Sequence, residues 1–142
     1  MSRYTKPSAK LTYEAARVAL AAAVAKAEAM GVPQCIAIVD DGGRLLAFAR
    51  MDGAKFISVT TSQTKAATAA SHRMPTSKFP PELETKLAFA SHSQLTNLKG
   101  GVPIFLDGHC VGGIGVGSGT GEQDLEVAQA ALAALGAEPV EV

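Results

Sequence analysis

An α+β domain, in which helices cover an antiparallel sheet, is the fold class that three features of this 142-residue chain predict. Two hairpin signals, Asp40-Asp41-Gly42-Gly43 and Asp107-Gly108, each sit between apolar runs. Helical stretches lie before, between and after the two hairpins, which gives the order α-β-β-α-α-β-β-α. Strands paired through tight turns, rather than joined through helices, call for antiparallel neighbours.

The first helix runs from Thr12, a side-chain N-cap, to Met30, with Leu11 placed to staple onto Ala16. Gly31 and Pro33 stop it. Nine alanines fall between Thr12 and Met30, so this helix is narrow on every side and admits a neighbouring backbone closely. Gln34 to Val39 and Leu45 to Ala49 are the strands of the first hairpin. A helix follows from about Phe56 to His72 and ends by Pro75. Thr76 or Ser77 and the Pro80-Pro81 pair frame a shorter helix that ends near Ser91. Val102 to Leu106 and His109 to Val116 form the second hairpin, and Glu122 to Leu135 the last helix, stopped at Gly136. Residues 1–10 read as a flexible or loosely docked arm and residues 11–142 as a single domain.

Composition removes several function classes. Thirteen basic residues balance thirteen acidic ones, so nothing draws the chain to nucleic acid or to a membrane surface. Tryptophan is absent and aromatics make up 5%, which removes the stacking platforms of single-strand binders. The first ten residues lack the apolar core of a signal peptide. No apolar stretch is free enough of charge to span a bilayer. Cys35 and Cys110 lie in expected strands and read as reduced core thiols rather than a disulfide. The expected location is the cytoplasm.

The stretch Gly112 to Asp124, GGIGVGSGTGEQD, leads from a strand through glycines into a helix. Its unpaired amides near Gly119, Thr120 and Gly121 form a possible ligand cradle, and plain packing of a strand-to-helix turn is the equal alternative. A dinucleotide site is rejected. The glycines recur at every second position, which does not match G-x-G-x-x-G, and no Walker lysine follows. Glu122 and Asp124 would also repel a pyrophosphate.

VDDGGRLLAFARMDGA (39–54), KAATAASHRMPTS (65–77), GGVPIF (100–105) and GGIGVGSGTGEQD (112–124) together resemble the GlcG/HbpS family. That family includes the C-terminal domain of PduO-type proteins and is often described as haem-binding or haem-degrading. The similarity covers residues from about 11 to 136. It implies a profilin-like arrangement, a central antiparallel sheet flanked by helices, and assembly into homodimers that build rings or octamers. Among members it implies haem or corrinoid-related ligands, glycolate utilisation, or aromatic and amino-muconate breakdown. The chain departs from the usual pattern at Gly117-Ser118, where relatives tend to read Ser-Gly, and at His72, where relatives often carry an apolar aromatic. Both departures fall beside the expected pocket and leave room for a different ligand.

The candidate site residues follow from these motifs. None of His72, His92 and His109 has zinc-ligand spacing, so no intrinsic metal site is expected. His92 at a helix end and His109 at a hairpin turn have ordinary surface explanations. His72 stands beside Arg73 and four positions before Thr76, and is either a general base or a helix C-terminal cap. Arg50 and Asp52 flank Met51 as either a surface ion pair or an anion clamp. Lys65 lies seven positions before His72, on roughly the same helix face. Arg50, Asp52, Lys65, Arg73, Thr76, Gly101, Gly119, Thr120 and Gly121 are therefore the expected ligand-binding set. His72, Glu122 and Asp124 are the expected acid/base groups, with helix capping the alternative for the last two. Haem is the first candidate ligand, with His72, His109 or Met51 as axial donor.

The leading expectation is a small oligomeric protein that binds a small or planar ligand near a subunit contact. The alternative is a catabolic enzyme that deaminates, tautomerises or hydrolyses a small carboxylate such as an amino-muconate, with His72 as base and Arg50 as clamp. A purely structural oligomer is the third reading.

Overall fold

A single four-stranded antiparallel sheet organises the molecule, in the strand order β2-β1-β4-β3. The computed structural model describes residues 2–142. Helix α1 spans Tyr13–Met30, and strands β1 and β2 span Cys35–Asp40 and Leu45–Arg50. Helix α2 spans Ser58–His72 and α3 spans Glu84–Ala90. Strands β3 and β4 span Gly101–Leu106 and His109–Gly117, and α4 closes the fold over Gly121–Ala134. Class, element order and antiparallel pairing all agree with the sequence expectation. No helix among the described residues is long and apolar enough to cross a membrane.

The helix ends follow local chemistry. The Thr12 hydroxyl accepts the Ala15 N–H at 3.0 Å, and Gly31 turns left-handed at φ 70° to end α1. Leu11 is buried, and its N–H donates to the Val111 carbonyl at 3.2 Å, which ties the helix entry to β4. Thr120 and Gln123 form a reciprocal capping box at the start of α4. The expected single helix after Pro75 is instead broken into two 3-10 turns, Thr76–Lys78 and Pro81–Leu83, followed by the seven-residue α3. Pro80 and Pro81 are the cause. They lack N–H donors and hold Phe79 and Pro80 at ψ 136° and 129°, outside helical values.

The two faces of the sheet are packed differently. Ile36, Ile38, Val102, Ile104, Ile114 and Val116 point to one face, where the alanines of α1 and Val127, Ala128, Ala131 and Leu132 of α4 cover them. On the other face β4 presents Gly113, Gly115 and Gly117, and α2 lies directly on them. A Cβ at Gly115 would stand 1.8 Å from the Ser62 carbonyl oxygen, and one at Gly113 2.4 Å from that of Ala66. The alternating glycines are thus a seat for α2. A bulge in the β3–β4 ladder, between Ile104 and Phe105, lets Val111 enter the α1/α4 core while Cys110 turns toward Ala70 of α2.

One charged pair is sealed inside this packing. Lys65 of α2 donates its Nζ to the Val116 carbonyl at 2.8 Å and to Asp124 Oδ2 of α4 at 3.1 Å, and both residues are buried. The other carboxylate oxygen, Oδ1, accepts the Gly119 N–H at 2.9 Å. With its amide oriented to suit its neighbours, the buried Gln34 donates to Asp124 Oδ1 at 2.9 Å and to the Gly117 carbonyl at 3.3 Å. Gly100, at φ +125°, makes room for the pair, since a Cβ there would stand 2.9 Å from Asp124 Cβ and 3.1 Å from Lys65 Nζ.

Three stability predictions arise from this packing and from the helix ends. Gly115→Ala should lower the unfolding free energy by about 3 kcal/mol or more in urea denaturation, because the new methyl group meets backbone that cannot retreat. Gly31→Ala, in open space but at positive φ, should cost only about 1 kcal/mol. Lys65→Met should cost about 3–5 kcal/mol by stranding the Asp124 charge, and the double variant Lys65→Met/Asp124→Leu should recover much of it. Strictly additive losses in that cycle would show that the two charges do not stabilise one another.

Candidate functional site

Helix α2 runs antiparallel to β4, with Ser58 against Gly117, Ser62 against Gly115 and Ala70 against Gly113. Its fifteen residues span about 21 Å. The expected site residues are therefore divided between two ends of the sheet. Arg50, Met51 and Asp52 lie at the end where β4 finishes, since Arg50 pairs with Cys35 and Cys35 with Gly117. His72 and Arg73 lie at the opposite end, beside the β3–β4 turn. Arg50 as carboxylate clamp and His72 as base do not meet.

At the Arg50 end the expected cradle is filled by the chain itself. The Gly119 N–H goes to Asp124 and the Thr120 N–H donates to Gln123 Oε1 at 2.9 Å. A Cβ on Gly121 would meet the side chain of Lys99, and that lysine pairs with Glu122 at 3.0 Å. The hydrogen bond from Lys99 depresses the Glu122 pKa, which takes it further from the range useful to a general acid at neutral pH. Asp124 is locked in the buried pair with Lys65. Thr76 is buried too, its hydroxyl donating to the Leu98 carbonyl and accepting the Gly101 N–H at 3.1 Å. Thr76 and Gly101 therefore clasp the connection between α2 and β3. Arg50 and Asp52 are both exposed and form no ion pair among the described residues. Met51 packs at the edge of the α1/α4 core.

Lys65 and His72 share a helical face by angle but not by environment. Two turns separate them, about 10 Å along the axis. Lys65 lies beneath the sheet and α4, whereas His72 projects past them and meets Phe79 edge-on at 4.9 Å. Arg73 caps α2 in the left-handed conformation, φ 56°.

The opposite end holds an open groove of about 1150 Å³. Its floor is α2 at Gln63, Thr64, Ala67 and Ser71, with the buried Ala70 at its inner edge. Its walls are the β1–β2 turn (Asp41 to Arg44), the β3–β4 hairpin (Phe105 and Gly108 to Cys110), Ser93 to Leu95 and residues 6–9 of the N-terminal arm. Gly43, at φ +77°, lets the first turn descend onto Ala67, since a Cβ there would already touch the Ala67 methyl at 3.4 Å. Arg44, Arg73 and His109 border the groove, and their side chains make no hydrogen bond or ion pair among the described residues. Of the three axial candidates, His109 is the one in this lining. Burial pushes the neighbouring Cys110 thiol pKa up, against smaller opposing effects of the Gly112 backbone and Arg73, so it is held protonated at neutral pH.

Asp41 joins the arm to the groove. Its Oδ1 accepts from Lys10 Nζ at 2.6 Å and its Oδ2 from the Ser8 hydroxyl at 3.2 Å. The Lys10 hydrogen bond holds the Asp41 pKa down, and the Asp41 hydrogen bond holds that of Lys10 above its usual 10.5. The aspartate's share of this contact is complete above the ordinary carboxylate pKa and is lost as pH falls through the depressed value. The lysine's share is lost only as pH rises through its raised value. The clip is intact across the neutral range. The sequence points to Arg73 and His109 but not to Asp41, Arg44 or the arm as site residues, although Asp41 and Arg44 stand inside the VDDGGRLL motif.

Comparison with known proteins agrees with this architecture. A family model described as "Haem degrading protein HbpS-like" matches residues 11–133. Protein GlcG of Escherichia coli (strain K12) is 40% identical over 107 residues, covering 75% of this chain and 80% of that protein. The crystal structure of HbpS superposes with a TM-score of 0.83 at 36% identity, covering 94% of this chain and 95% of that one. A crystal structure of a PduOC:haem complex superposes with a TM-score of 0.85 at 27% identity, covering 93% of this chain and 99% of that one. With its sheet order, its glycine-seated α2 and a match over nearly the whole domain, the chain belongs to the HbpS-like family that includes GlcG.

Proposed function

We propose that this protein binds haem in the groove beside the two hairpin turns, as a homo-oligomer. The observation that carries the reading is a large open groove with a floor of small residues and three unpaired groups, His109, Arg44 and Arg73, at its border. A flat tetrapyrrole suits Ala67 and Ala70, which leave the floor low, and Leu95, Phe105 and Pro7 supply apolar walls. His109 is the residue suited to hold the iron, and Arg44, Arg73 and Lys6 suit the propionates. Bound haem would supply redox and oxygen chemistry at its iron. The chain's own part is to orient the ring, neutralise the carboxylates and shield one side from water. The haem complex of a structural relative and the family's description support the same ligand.

The two free guanidinium groups favour a second reading, a smaller carboxylate substrate held by Arg44 and Arg73. Such a ligand would leave much of the groove to water.

Self-association is supported by Phe56, Ile57 and Phe89, which are 78%, 58% and 79% exposed. Light scattering should return a dimer or larger species, and a clean monomer at micromolar concentration would remove this part of the proposal.

Haemin titration followed at the Soret band tests the ligand. Saturable binding is expected, weakened roughly tenfold by His109→Ala and to a smaller degree by Arg73→Ala. His72→Ala and Met51→Leu, outside the groove, should leave it unchanged. Binding indifferent to both His109→Ala and Arg73→Ala would sink the haem reading. A melting temperature raised by small carboxylates but not by haemin would favour the second one.

A further inference from the structure

One wall of the groove is not part of the folded scaffold. Residues 6–9 line it, yet residues 2–9 contain no helix or strand, and all of them are exposed. The first apolar anchor after them is Leu11, buried and bonded to Val111. Between the anchor and the groove the arm is tied to the body through a single carboxylate, Asp41, which receives Lys10 on one oxygen and Ser8 on the other. Lys10 is itself 60% exposed and Asp41 24%. An exposed ion pair with one hydroxyl contact contributes little stability, so the tie opens readily and closes again. Lys6 lies four residues beyond Lys10, on the stretch that the tie holds against the groove.

We infer that residues 2–10 act as a strap over the groove, with Asp41 as its latch, and that the latch sets how long an anionic ligand stays bound. The chain pivots just before Leu11. With Ser8 and Lys10 on Asp41, the arm lies along the groove and Lys6 stands in its lining, next to the position of an anionic group. With the latch open, the wall swings away and the ligand is free to leave. Asp41 is a positioning residue in this scheme, because it acts through the arm rather than on the ligand. The turn that carries it is rigid, since the Asp40 carboxylate accepts the Gly42 and Arg44 N–H groups at 2.8 and 3.0 Å, so opening falls to the arm. The scheme rests on the haem reading for the identity of its ligand. The latch itself does not depend on that reading.

Two measurements on the 142-residue chain separate the possibilities. In the ligand-free protein, limited proteolysis with a non-specific protease reports the arm through cuts within residues 4–10, mapped by mass spectrometry. In the haemin complex, stopped-flow transfer of haemin to an excess of apomyoglobin reports dissociation. Asp41→Asn and Lys10→Gln should each raise arm cleavage severalfold and speed haemin release roughly twofold to fivefold. The charge-swapped double variant Lys10→Asp/Asp41→Lys should return both toward wild type, which a merely local effect of either substitution would not do. Increased cleavage with unchanged haemin release would overturn the strap while leaving the haem reading intact. Unchanged cleavage in Asp41→Asn would overturn the latch, whatever binds. If wild-type protein takes up no haemin, the haem reading fails and the strap over it fails as well, and the proteolysis alone still decides whether Asp41 holds the arm.

Discussion

The structure depends on the contact between the backbone of α2 and the glycines of β4. Where a strand normally presents a side chain, Gly113 and Gly115 present only hydrogen, and the carbonyl oxygens of Ala66 and Ser62 occupy the space that a Cβ would need. Side chains normally hold packed layers apart, stacked sheets for instance at about 10 Å. Here the gap closes until main chain meets main chain, which tolerates no added atom. The alanines of α2 follow from the same constraint, since a larger residue at 66, 69 or 70 would lift the helix away. The opposite face is packed in the ordinary way, with isoleucine and valine under two alanine-rich helices.

Close approach explains why a lysine and an aspartate are found in the interior. A helix this near the sheet has little room for branched apolar side chains along its flank. Lys65 instead has its backbone against Gly101 and its Nζ beside Gly100, where it reaches the Val116 carbonyl and Asp124. Burying two charges is expensive, and the site offsets that cost with hydrogen bonds from Gly119 and Gln34 to the carboxylate. The pair joins α2, β4 and α4 at one point. A different register of α2 on the glycines would leave both charges unpaired.

With the interior so tightly specified, adaptable surface is confined to the turns. The groove has a helix for its floor, but its walls are two hairpin turns, a loop and the arm, the parts of a fold that vary at least cost to the core. Arg44 and Arg73 border it without partners, while Lys65 and Lys99 are tied into the fold. Lys65 is paired with Asp124, and Lys99 with Glu122. Charged residues that look alike in the sequence thus divide into paired and unpaired groups only through the tertiary contacts each one meets.

The sequence by itself determined the class, the element order and both hairpins, because each rests on local chemistry: Thr12 and Gly31 at the ends of α1, Asp107-Gly108 at a two-residue turn, Gly136 after α4. Four motifs in order carried the family as well. It did not determine which face of β4 the glycines occupy, since period-two spacing describes a ligand cradle and a helix seat equally well until α2 is seen lying on them. It also did not show that Lys65 is buried while His72 is exposed, because helical spacing gives direction around an axis and not depth beneath neighbouring elements. The groove was invisible for a similar reason. Its members come from the arm, two hairpins, α2 and a loop, more than a hundred residues apart along the chain, and only the antiparallel seating of α2 on β4 brings Asp41, Arg73 and His109 to the same end of the sheet.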